Sequence, residues 1–323
     1  LNTYDSDYSS YLMIHLYISY DDGDSWYYGG GIYNSSTDML YPDIEVIEDR
    51  YVIVYSEDGD SDSYEELHYY WLKFDGSEYQ FGQFDHASNY TYESVWWGSI
   101  TSDKFYYDAE STWLYITFGI SEWDGSEWLW NIYYTHSEDF GNSWASPIKL
   151  TNDDLGAYRP GIAIAFATPD PQTGQDYVYT TWRDSLYNGY CTKIDAWTSE
   201  VLSTDIVLPS SEGEYGWGHY APSVTAYYGD VYVTSFVEWG EYAGVNENSD
   251  ISETFSSDNG ETWGADYSWY YWIDNEDLIE TSPAPDIGEN GRRGFAWHKG
   301  GGPTVEEYLL YYHDDYYESQ IGC

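Results

Sequence analysis

Positive charge is almost absent from this chain. Ten Lys plus Arg face 58 Asp plus Glu, for a formal net charge of −48. Phosphate backbones are held by clustered cations, so this balance argues against nucleic acid as a partner, and against anionic membrane surfaces as well. No run of about 18 or more apolar residues occurs, which excludes a transmembrane helix. Cysteine is scarce too, with only Cys191 and Cys323. No His/Cys cluster has zinc spacing, no Cys-x-x-Cys-His awaits a haem, and no Gly-rich loop leads into a helix to cradle phosphate.

What is abundant is aromatic and acidic. Aromatics make up 21% of 323 residues, with 41 Tyr and 17 Trp, ample for a core. No long helical period and no linker interrupts the pattern, so the expectation is one all-β domain over residues 1–323. The negative coat keeps such a chain soluble but makes its folded state self-repelling, which salt or bound cations relieve. A salt-rich or calcium-rich exterior is the natural setting, and the expected location is extracellular or on the cell surface. Asn34-Ser-Ser and Asn89-Tyr-Thr are glycosylation sequons that fit that location.

One eight-residue pattern, Ser-x-Asp-x-Gly-x-x-Trp, occurs three times. Its anchors are Ser19, Asp21, Gly23 and Trp26, then Ser137, Asp139, Gly141 and Trp144, then Ser256, Asp258, Gly260 and Trp263. The Asp residues lie 118 and 119 positions apart, and repeats at a fixed period decide the fold before local propensity does. Each copy lies between apolar, aromatic-rich runs and reads as a hairpin turn. Gly supplies a positive φ, Asp accepts backbone amides as in an Asx turn, and Trp brings a large apolar face to bury. Reduced copies keep the turn Asp at Asp75, Asp195 and Asp315, each 120 residues from the next.

A second element also repeats: a short extended segment, often opened by Pro, then a polar turn and an aromatic strand. It spans Tyr41–Glu57, Glu93–Ser121, Tyr158–Asp184, Tyr220–Trp239 and Thr281–His298. Each copy precedes one of the Asp turns. Strands A and B of a unit therefore form this hairpin, and strands C and D flank the turn. Six such units describe a six-bladed β-propeller with four antiparallel strands per blade. Blade 1 is incomplete at the N-terminus, where there is room for strand C and the tail of B. The expectation is that the chain is a fragment, or that another segment completes the ring, because an open propeller leaves an unpaired edge.

These turns resemble the Asp boxes (BNR repeats) of the sialidase-like six-bladed propellers, and the resemblance covers essentially the whole chain. It implies the propeller fold. Activity is less specified, because Asp boxes lie away from the family's active site and occur in propellers without glycosidase activity. Family sialidases use three Arg to clamp a carboxylate, an Asp acid/base and a Tyr–Glu nucleophile pair. A planar guanidinium suits such a clamp. Here Arg50, Arg292 and Arg293 fall in A–B turns, on the other face. Arg159, opening strand A of blade 4, and Arg183, closing strand B, are the candidates. Tyr158-Arg159-Pro160 is similar to the family's Arg-Ile-Pro motif, although that motif belongs to the first blade.

Other residues point to ligands. Asp58, Asp60 and Asp62 alternate on one loop, as calcium ligands can; the alternative is a solvated acidic loop. Trp123, Trp128, Trp217 and Trp239 are candidates for stacking on neutral carbohydrate, against the alternative of packing between blades. The pairs Tyr69-Tyr70, Tyr133-Tyr134, Tyr227-Tyr228 and Tyr311-Tyr312 read as strand residues with one ring on each side of a sheet. The functional expectation is a non-catalytic propeller that binds carbohydrate or another extracellular chain. A sialidase-like exo-glycosidase whose first catalytic Arg and Asp lie upstream of Leu1, and a structural subunit of an extracellular filament or surface layer, are the alternatives.

Overall fold

The structure is a computed structural model. It describes residues 2–4, 12–18, 25–32, 37–47, 50–57, 66–73, 79–83, 94–103, 112–123, 125–151, 163–167, 175–209, 217–239, 249–264, 278–287, 293–301, 308–314 and 318–321. Regular structure there is all β.

The first sheet holds β1 (Asn2–Tyr4), β2 (Leu12–Ile18) and β3 (Tyr27–Ile32) in that order. The second runs β4 (Met39–Ile47), β5 (Arg50–Glu57), β6 (Glu66–Lys73) and β7 (Tyr79–Gln83). The third contains β8 (Val95–Ser102), β9 (Leu114–Trp123), β10 (Trp128–Ser137) and the short β11 (Ile148–Lys149). The fourth contains β12 (Ala163–Ala167), β13 (Tyr177–Arg183), β14 (Gly189–Asp195) and β15 (Val201–Leu208). Each is an antiparallel meander in chain order.

The last sheet has seven strands: β16 (Trp217–Tyr227), β17 (Asp230–Trp239), β18 (Ser249–Ser256), β19 (Leu278–Ile287), β20 (Arg293–Gly301), β21 (Tyr308–Asp314) and β22 (Glu318–Ile321). It is two antiparallel meanders, β16–β18 and β19–β22, joined by one parallel pairing of Ser249 with Ile279.

The chain divides into two compact units, Leu1–Ile100 with Phe118–Trp128, and Thr101–Thr117 with Leu129–Cys323. In the first, β5 is buried on both faces from Tyr51 to Glu57. One face, Tyr51, Ile53 and Tyr55, packs with Met39 against Ile14 of β2. The other approaches β8. A Cβ on Gly98 would lie 2.5 Å from Leu67 Cδ1, and Leu67 is fully buried. Gly98→Ala is therefore expected to lower stability by about 1–3 kcal/mol through overpacking, read as a fall in thermal midpoint. An unchanged midpoint would show that Leu67 can swing aside.

In the second unit, Tyr115 and Tyr134 pack on Ile164, Val178 and Ile194 of the fourth sheet. That sheet's other face, with Tyr177, Tyr179, Cys191 and Val207, packs on Val224, Val231 and Val233. Within this unit the fourth sheet is thus packed on both faces, and its middle strands β13 and β14 are buried throughout while β15 alternates with solvent. Cys191 is a buried free thiol; Cys323 lies outside the described residues. Tyr69, Tyr133 and Tyr134 are buried strand residues. Tyr228 departs from the strand expectation: it sits in the tight turn between β16 and β17 with φ 48°, half exposed, its ring edge-on to Tyr227.

Candidate functional site

Each meander has two chemically different ends. At one lie the A–B and C–D turns, including the Asp turns. At the other lie the start of strand A and the B–C connection.

Two of the three Ser-x-Asp-x-Gly-x-x-Trp copies are described. Ser137 Oγ donates to Asp139 Oδ1 (2.9 Å) and accepts the Gly141 amide (2.7 Å). Asp139 Oδ1 accepts the Ser143 amide (2.8 Å), and Oδ2 accepts the Ser143 hydroxyl (2.7 Å). The second copy repeats this atom for atom. Ser256 Oγ bonds Asp258 and the Gly260 amide, and Asp258 takes the Thr262 amide at 2.8 Å and its hydroxyl at 2.6 Å. Gly141 and Gly260 have φ 81° and 77°, each preceded by a left-handed Phe140 or Asn259. The hydroxyl at the seventh position was not singled out from the sequence, although Ser25, Ser143 and Thr262 all carry one. Trp263 packs on the core beneath its turn, whereas Trp26 is 54% exposed. Trp263 rests on the preceding sheet, and the first sheet has no predecessor among the described residues. Ser19, Asp21 and Gly23 lie outside them.

Hydrogen bonds from Thr262, Ser256 and Glu261 pull the Asp258 carboxyl down to about 2. Asp139 is held below its ordinary value as well; desolvation raises it, and the bonds from Ser143, Ser137 and Asn142 together outweigh that. A depressed folded pKa gives stability that is present above the unfolded value near 4 and lost as pH falls through the folded value. The Ser256–Trp263 turn is therefore expected to loosen between about pH 4 and pH 2, and the Ser137–Trp144 turn as pH falls below the unfolded value. Amide exchange at Gly260 and Thr262 measures this, and protection unchanged to pH 2 would contradict it.

The opposite end gathers exposed aromatic rings in the first unit. Tyr41 opens β4, and Trp96 and Trp97 open β8. Their centroids lie 6.0 Å (Tyr41–Trp96), 5.4 Å (Tyr41–Trp97) and 5.0 Å (Trp96–Trp97) apart. Tyr41 and Trp97 both have left-handed backbone, φ 52° and 55°. A β-bulge between Leu40 and Asp43 sets the Tyr41 position, and bulges re-aim side chains. Asp43 Oδ2 ties β4 to β8 beneath the rings, accepting from Ser99 Oγ (2.6 Å) and the Ile100 amide (2.9 Å). Bulges recur at Ala221-Pro222 and Ser282-Pro283. The sequence signal was the X-Pro dipeptide that opens these hairpins. At the B–C hairpin of the third sheet, Trp123 and Trp128 are 53% and 48% exposed with centroids 5.6 Å apart. Trp217 and Trp239 pair in register.

In the second unit the B–C hairpin of the fourth sheet is organised by Asp184, which is buried. Its carboxylate accepts the Leu186 and Asn188 amides (both 2.9 Å), the Asn188 side chain (3.0 Å) and the Tyr190 hydroxyl (3.0 Å). Tyr190 stacks flat on Trp182 at 4.2 Å. Arg183 is buried at the end of β13, its guanidinium 4.9 Å from the Tyr187 ring. Arg159, Asp58, Asp60, Asp62, Asn34 and Asn89 lie outside the described residues. Among the described residues no three His, Cys, Asp or Glu converge as a metal site, and no helix is long and apolar enough to cross a membrane.

No family model matches this sequence, and no curated relative does. Solved structures do match. Trypanosoma rangeli sialidase superposes on 96% of this chain with a TM-score of 0.52 at 14% identity. The fold is similar to that of a sialidase. The chain spans about half of that protein, 52% of its length. A protein of unknown function from Dyadobacter fermentans superposes with a TM-score of 0.56 at 12% identity, covering 90% of this chain and 84% of that one. Identities this low are a likeness of fold alone.

Proposed function

We propose that this protein is a six-bladed β-propeller that binds glycan outside the cell on the face formed by strand A openings and B–C hairpins. One observation carries the reading: among the described residues, the exposed rings of the second and third sheets, Tyr41, Trp123 and Trp128, all lie at that end. Aromatic faces held in solvent gain most from a ligand with an apolar face and a polar rim, which a sugar ring has. The propeller reading is supported by the succession of antiparallel meanders and by the sialidase-like superposition. The expected behaviour is binding without turnover. Retention of the full chain on a panel of immobilised glycans, alongside assays on fluorogenic glycosides, tests this; a protein that no glycan retains does not have this function.

A second reading is a sialidase-like hydrolase, favoured by superposition of nearly the whole chain on the T. rangeli enzyme. It would use Arg159 and Arg183. Turnover of a sialoside that disappears in Arg159→Ala would replace the first reading with this one.

A further inference from the structure

We propose that Tyr41, Trp96 and Trp97 form a stacking platform for a neutral saccharide. The proposal rests on the glycan-binding reading above and narrows it to one subsite and one ligand class.

Backbone strain is the first argument. Left-handed φ is uncommon for bulky residues and strains the backbone at each position. Tyr41 also precedes Pro42, and a following proline pushes its neighbour towards extended conformations. Two such residues, on the first strands of successive sheets, therefore hold their rings where an ordinary strand would not. The surroundings enforce this. Asp43 bridges to Ser99 and Ile100 directly after the bulge, and Gly98 is pressed against buried Leu67 directly after Trp97.

The rings so held are not core. Tyr41 is 41% exposed, and Trp96 and Trp97 are half-buried. Strain that serves packing ends in burial; here it ends in a ring turned to solvent. The interplanar angles of 35°, 50° and 79° make a cup with walls rather than one flat face. A pyranose or furanose ring fits such a cup by laying its C–H face on one ring while its hydroxyls stay wet.

Charge selects the class of sugar. The cations of the second sheet, Arg50 and Lys73, are paired in register at the opposite end of β5 and β6. Asp43, a carboxylate, ties the strands beneath the platform. In a chain carrying 58 acids against 10 Lys plus Arg, a sialic or uronic acid is repelled here and a neutral ring is not.

Calorimetric titration of the full chain with cellohexaose, xylohexaose, arabinohexaose and 3′-sialyllactose tests this. At least one neutral probe is expected to bind. Trp97→Ala and Tyr41→Gly are expected to raise its Kd roughly tenfold or more, the loss of one stacked ring. Tyr41→Phe keeps Kd within about twofold because the ring remains. Tyr41→Gly also separates binding from structure: glycine accepts φ 52° without strain, so its thermal midpoint is expected to hold or rise while affinity falls. Neutral-probe binding unchanged in Trp97→Ala and Tyr41→Gly overturns the platform. Binding of 3′-sialyllactose alone overturns the ligand class and leaves the glycan reading standing. A full chain that binds none of the four overturns the platform, and the glycan panel above decides the wider reading.

Discussion

Tyr179→Ala is expected to cost about 3–5 kcal/mol of folding stability, the range for emptying a large buried aromatic site. Tyr179 is fully buried in β13, within the cluster that joins the fourth sheet to Val224, Val231 and Val233 of β16 and β17. Its hydroxyl donates to the Asn259 carbonyl at 2.9 Å, and its ring lies 3.2 Å from where a Cβ on Gly260 would stand. One side chain thus fills an inter-sheet core and pins the left-handed corner of the Ser256–Trp263 turn. Lys193 adds a second tie, 2.7 Å from Glu261 and stacked over Tyr177 at 4.2 Å. Tyr179→Phe keeps the volume and removes the hydroxyl, so it is expected to cost only about 0.5–1.5 kcal/mol and to raise amide exchange at Gly260 selectively. Denaturant unfolding of the two variants separates the contributions. A loss below about 1 kcal/mol for the Ala variant would mean that the sheets do not share this core.

The strands and their grouping were legible because two signals agree along the chain. Pro-opened hairpin segments with aromatic strands repeat along the chain, and Asp turns recur every 60 residues or so. Tyr51-Val52-Ile53-Val54-Tyr55 shows the limit of that reading. The unbroken apolar run says strand, but only packing reveals what each face meets, Ile14 on one side and Gly98 towards the other. The Asp turns could be placed from Asp and Gly alone. The contribution of Ser143 and Thr262 could not, because one hydroxyl among many polar turn residues carries no distinguishing pattern until the carboxylate is seen to face it. Tyr41 and Trp97 were hidden for a different reason. Nothing in an aromatic residue announces positive φ, and the bulge arises from the register of β4 against β5, a pairing set by the whole sheet. Tyr228 was misplaced by the same logic in reverse: a Tyr-Tyr pair has strand propensity, but Gly229 after it makes the turn, with φ 94°.

Asp103→Asn is expected to stabilise the protein at pH 8 and to leave it nearly unchanged at pH 4. Asp103 follows β8 and is 1% exposed. Its carboxylate accepts the Trp113 amide at 2.8 Å. Burial pushes the carboxyl up to about 7, opposed by that hydrogen bond and one from its own amide, and assisted by the charge of Asp176. Asp176 is itself buried and accepts the Trp197 indole N–H at 2.8 Å. Trp113 sits between the two groups' surroundings, edge-on to Trp197 at 5.0 Å and stacked on His136 at 5.4 Å. Burial also lowers the His136 pKa, although Glu138 opposes this, so near neutrality the imidazole offers little compensating charge. The folded state binds the Asp103 proton more tightly than the unfolded state, whose carboxyl titrates near 4. The Asp103 contribution to stability is therefore whole below about pH 4, falls as pH rises through the window from 4 to 7, and stays lost above it. With partial screening by solvent the loss is on the order of 2 kcal/mol. Asparagine cannot ionise, so the difference between variant and wild type follows that window whatever the other 57 acids do. Thermal midpoints of both proteins from pH 4 to pH 8 measure it. Parallel curves would show that Asp103 is ionised at little cost, and that the buried pair is hydrated or balanced by a cation.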